Sequence, residues 1–107
     1  MNREELIFAV RRFVHAPDHE GFAALVRASH PSDLAEVLLG TSAASLSSLL
    51  LLLDPQQRAD LFAHLAFPQQ DALLALLPRQ TVYDLFERMP ADDRADLFNR
   101  LDTRSRP

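Results

Sequence analysis

Between Leu49 and Leu101 the chain repeats itself every twelve residues. Leu49, Leu61, Leu73, Leu85 and Leu97 lead the repeat, and Leu50, Phe62, Leu74, Phe86 and Phe98 follow them directly. Four residues after each leader stands Leu53, Leu65, Leu77, Met89 or Leu101. Positions i, i+1 and i+4 share one stripe of an α-helix. Pro55, Pro68, Pro78 and Pro90 fall between the triplets. Proline lacks a backbone donor and clashes with the preceding turn, so no helix runs through these positions unbroken. Each unit is then about two helical turns, roughly 12 Å of helix, closed by a tight joint. Helices this short do not stand alone in water. They must stack on their neighbours, which predicts an all-α solenoid or superhelix.

The rest of the composition supports a helical, unstapled chain. It has 107 residues, enough for one domain with a modest core. No window alternates apolar and polar residues as a half-buried strand does. With no cysteine there is neither a disulfide framework nor thiolate chemistry, which suits a reducing compartment. The longest purely apolar run, Leu49–Leu53, is far short of the roughly 20 residues of a membrane helix. Glu4 and Glu5 stand where a signal peptide would be basic. A net charge of −4 argues against nucleic acid and against an anionic membrane surface.

Along the chain, Asn2 and Glu5 form an arrangement like a capping box ahead of the Leu6, Ile7, Val10, Phe13, Val14 stripe, with Arg3, Arg11 and Arg12 on another face. Ala16-Pro17-Asp18 breaks this helix, and the next carries Phe22, Leu25 and Val26. Pro31 opens a third, whose stripe is Leu34, Val37 and Leu38 and whose stop is Gly40. The helix through Leu46–Leu53, apolar all round, is expected to be the most buried. Asp54-Pro55-Gln56-Gln57 reads as a cap, a first-turn proline and a glutamine at the third position, and Thr81 reads as a cap with Asp84 following. Arg58-Ala59-Asp60-Leu61-Phe62 returns as Arg94-Ala95-Asp96-Leu97-Phe98, thirty-six residues on. About eight helices are expected, the first two longer than the rest. They form a single domain over residues 1–102, with a frayed polar tail at 103–107. The expected core is Leu34, Val37, Leu38, Leu49, Leu50, Leu53, Leu61, Phe62, Leu65, Leu73, Leu74, Leu77, Leu85, Phe86, Leu97 and Phe98.

Little in this sequence looks catalytic. His15 and His19 have a metal-binding spacing, but Pro17 separates them and no third ligand follows, so they read as two surface histidines at a turn. His30 reads as a turn residue and His64 as partly buried. Ser42, Ser45, Ser47 and Ser48 have no nucleophile elbow around them, and no glycine-rich phosphate loop occurs. Enzyme activity is not expected. The constellation with chemical content is Asp92, Asp93 and Asp96. Asp92 and Asp96 stand i, i+4 on a helix and could share a magnesium ion or its water shell, relieving their mutual repulsion. The competing account is ordinary: early acids suit the helix dipole, and Arg58, Arg88, Arg94 or Arg100 neutralises the remainder.

His30-Pro31-Ser32-Asp33-Leu34-Ala35-Glu36-Val37-Leu38, followed by leucine helices with joints at Leu53-Asp54-Pro55, Leu77-Pro78 and Met89-Pro90, resembles the cytosolic N-terminal domain of MgtE-type magnesium transporters and channels, from about Phe22 to Leu101. The resemblance implies a right-handed superhelix, followed in the family by paired CBS domains and a transmembrane pore. It also implies a regulatory role at the cytosolic face of the inner membrane. Mg2+ held between acids of the N and CBS domains keeps the pore shut. Asp92-Asp93-Arg94-Ala95-Asp96 matches the family's acidic pattern, which makes Asp92 and Asp96 the implied ligands and Asp93 a lesser one. Arg94, inside that pattern, is a departure. The alternative is a metal-independent interaction module, either a scaffold like the flagellar motor switch protein, which has similar helical repeats, or a free-standing protein like the MgtE N domain, since the sequence shows no pore and the repeat is generic. A homodimer through exposed leucines at a solenoid end is a further expectation.

Overall fold

A computed structural model describes residues 2–105, with side chains as far as residue 100. Its described residues form eight α-helices and no strand: α1 (Arg3–His15), α2 (His19–Ala28), α3 (Pro31–Val37), α4 (Ala43–Leu51), α5 (Pro55–His64), α6 (Phe67–Leu76), α7 (Arg79–Arg88) and α8 (Ala91–Ser105). A single 3-10 turn, Leu38–Gly40, links α3 to α4. From α5 onward the helices start at residues 55, 67, 79 and 91, twelve apart.

Local chemistry sets these boundaries. Asn2 Oδ1 accepts the Glu5 N–H at 2.8 Å, and Asp54 Oδ1 accepts that of Gln57 at 2.8 Å. Ser42 Oγ does the same for Ser45 at 3.2 Å. Each satisfies a first-turn donor that the helix itself cannot. Pro31 and Pro55 occupy first-turn positions, where the missing N–H costs nothing. Leu77 and Met89 stand before prolines with ψ of 148°, the extended geometry a following proline imposes, and a new helix starts two residues after each. Thr81 is not a cap, because α7 begins at Arg79 and Pro78 holds the N-cap position.

The short helices do not pack mainly on their sequence neighbours, as stacking at tight joints would suggest. The principal contacts join every second helix: α1 with α3, α3 with α5, α5 with α7, and α4 with α6. Extents of 43 × 23 × 22 Å give an elongated body. One hydrophobic cluster runs through it, from Leu6 and Val10 to Leu97. Leu34, Leu38, Leu49, Leu50, Leu53, Leu61, Phe62, Leu65, Leu73, Leu77, Leu85 and Leu97 are buried as expected. Val37, Leu74 and Phe86 are half-buried and pack against the cluster. Phe98 is 57% exposed and does not belong to the core. Its row loses cover toward the end of the chain, from buried Leu50 and Phe62 through half-buried Leu74 and Phe86.

Other expectations fail for equally local reasons. α4 ends at Leu51, before the apolar run does, and is not buried all round: Leu49, Leu50 and Leu53 are buried, but Leu51 is exposed. α2 has ten residues, no more than α5, α6 or α7, because Pro17 delays its start. The described backbone of α8 extends to Ser105, and Arg106 and Pro107, the end of the expected tail, lie outside the described residues. No helix among the described residues is long and apolar enough to cross a membrane.

Candidate functional site

Pro90 ends one joint and α8 begins at Ala91, which puts Asp92 and Asp93 in the first helical turn. Negative charge is favourable there, beside the positive end of the helix dipole. Asp96 follows one turn after Asp92 on nearly the same line, and Asp93 is rotated by about 100° around the axis. Asp92 and Asp96 are exposed and Asp93 is half-buried. Among the described residues, no group of three or more His, Cys, Asp or Glu converges closely enough to hold a metal ion.

The surroundings of these acids depend on where the arginines go. Arg94, inside the acidic motif, turns back and donates from Nη1 to the Phe86 carbonyl at 3.3 Å, at the end of α7. Arg58, its counterpart thirty-six residues earlier, donates from Nε to Leu50 O at 2.9 Å and from Nη2 to Leu53 O at 2.8 Å. Arg88 pairs with Asp84 at 3.1 Å. Arg100 reaches from α8 to α6, where it pairs with Asp71 at 3.3 Å, donates to Gln70 Oε1 and lies over the Phe67 ring at 3.8 Å from its centroid. Arg58, Arg88, Arg94 and Arg100, the arginines expected to neutralise the acidic face, therefore have other partners. None of the ion pairs among the described residues involves Asp92, Asp93 or Asp96.

The histidines are capping and surface groups. His30 is the N-cap of α3, and its Nδ1 accepts the Ser32 N–H at 3.2 Å. His64 is exposed rather than partly buried, with Nδ1 at 2.9 Å from the Asp60 carbonyl. The two rings meet edge-on at 6.3 Å between centroids. His15 and His19 are exposed at the end of α1 and the start of α2.

The polar residue that composition alone hides is Gln70, only 3% exposed. Its Nε2 donates to Phe62 O at 2.8 Å while its Oε1 accepts from Arg100. Gln70 stands twelve residues after Arg58, in the same place of the repeat, and that register was the available signal.

The family model of the MgtE intracellular N domain matches residues 29–106, from the His30-Pro31 opening through the acidic motif. The chain belongs to that family. The MgtE N domain is a regulatory domain of magnesium transporters. The matched part of the MgtE-type fold begins at α3, so α1 and α2 lie ahead of it. No curated protein and no solved structure matches the chain.

Proposed function

We propose that this chain regulates an MgtE-type magnesium transporter by responding to intracellular Mg2+. In this reading Asp92 and Asp96, with Asp93 beside them, supply one side of a cation site, and a CBS domain supplies the other. The observation that carries it is the commitment of Arg58, Arg88, Arg94 and Arg100 to other partners, so that no ion pair among the described residues reaches the acidic face of α8. Magnesium keeps several of its waters and takes one or two carboxylates from a given protein surface, so an exposed pair suits a shared site. Bound Mg2+ would offset the repulsion between carboxylates and tie α8 to its neighbour, holding the pore shut. Falling Mg2+ would release it. A superhelical arrangement belongs to the same proposal, supported by the twelve-residue spacing of helix starts and the packing of every second helix. The chain would then act at the cytosolic face of the inner membrane.

The decisive test is made in a transporter carrying this domain. Replacing Asp92 and Asp96 together by alanine should raise the Mg2+ concentration needed for half-inhibition of transport by about tenfold, the effect of losing roughly 1.4 kcal/mol of binding. Inhibition by Mg2+ that is unchanged in the double variant sinks the site. A partner complex formed equally well with Mg2+ and with a chelator would favour the scaffold reading instead.

A further inference from the structure

Along α1, Arg3, Ile7, Arg11 and His15 stand four residues apart and line one wall of a cleft. The facing wall comes from the end of α3, the 3-10 turn and the start of α4, where Thr41 and Ser45 add hydroxyl groups. The cleft holds about 480 Å³, inside the range of roughly 300–1,000 Å³ usual for small-molecule sites. Its base is apolar: Val10 is buried, and Val14 and Val37 are half-buried.

The charges in this cleft are unequally used. Arg3 Nη1 meets Glu36 Oε1 at 2.6 Å, which neutralises both groups at one end. Arg11 and His15, one helical turn apart, make no hydrogen bond or ion pair among the described residues. An exposed arginine without a partner among the described residues thus lines a cleft that also contains Val10, Val14 and Val37 and the hydroxyl residues Thr41, Ser42 and Ser45, in a chain whose net charge is −4. Guanidinium presents a planar fork that fits carboxylate or phosphate oxygens in pairs. The valine floor gains nothing from a bare ion but favours an attached apolar group.

We propose that this cleft binds a small organic anion, a phosphate or carboxylate carried on an apolar body, with Arg11 as its main anion-binding residue. The site is independent of the acidic face of α8. It lies between α1, ahead of the family-matched residues, and the α3–α4 segment within them.

Titration of the whole chain by NMR at constant ionic strength tests this, with phenyl phosphate, phenylacetate and inorganic phosphate as probes. Saturable shifts should appear at the amides of residues 10–15 and 41–45. One of the two aromatic anions should bind several-fold more tightly than inorganic phosphate, and which one does identifies the head group. Arg11→Gln should weaken that binding about tenfold, while Arg12→Gln, on the neighbouring exposed face, leaves it within about twofold. Arg11→Lys keeps the charge without the fork and should fall between them, which preserves the test if the glutamine variant melts early. Shifts that do not saturate, an aromatic anion no tighter than phosphate, or equal affinity in Arg11→Gln and the parent chain would each overturn the proposal.

Discussion

Arg58, Gln70 and Arg94 hold the same place in the repeat, and each donates to the carbonyl eight residues before it, on Leu50, Phe62 and Phe86 respectively. Carbonyls near a helix end have no partner within the helix. These side chains add a donor from the start of the next helix, beside the Leu53 and Leu65 N–H groups that already reach the Leu50 and Phe62 carbonyls, and so lock the joint. Arg58→Met keeps the apolar stem but removes the side-chain donor to the Leu53 carbonyl and leaves the Leu50 carbonyl only the Leu53 N–H, and should lower stability by about 1–3 kcal/mol in chemical denaturation. A loss within about 0.5 kcal/mol would show the clasp to be incidental. The Arg-Ala-Asp-Leu-Phe identity was visible in the sequence, but the inward turn of its arginine was not. Charged side chains are mostly solvated, and only the joint geometry brings an accepting carbonyl within reach of the guanidinium.

At the level of elements, the leucine rows, the proline joints and the caps at Asn2 and Asp54 were legible because each is set by residues a few places apart. Burial at a given row position was not, since it depends on which helix covers it. Leu73 and Phe98 make the contrast measurable. Leu73 is fully buried on α6, and Leu73→Ala should cost about 2–5 kcal/mol, the lost transfer energy plus the cavity left behind. Phe98 belongs to the same set of triplets but is 57% exposed, and Phe98→Ala should cost about 1 kcal/mol or less. Equal losses for the two variants would contradict this assignment. The Asp92–Asp96 pair was legible by spacing alone. That Arg100 is not its partner was not, because Arg100 could equally have folded back one turn onto Asp96 instead of crossing to Asp71.

For the whole molecule, the crossing of Arg100 fastens α8 onto α6 through Asp71, Gln70 and the Phe67 ring. Arg100→Met should speed amide hydrogen exchange in α8 at least about tenfold, an opening free energy lower by roughly 1.4 kcal/mol, while the protection of α3 and α5 changes little. A uniform loss across all helices would mean that α8 opens only with the rest. The packing of every second helix has a kinetic consequence. The principal contacts join helices no more than three places apart in the chain, such as α1 with α4 or α2 with α5. Forming them closes only short loops, each with a small entropic penalty. Such a chain should assemble on the microsecond-to-millisecond scale of low-contact-order helical proteins, with structure able to spread from whichever segment forms first.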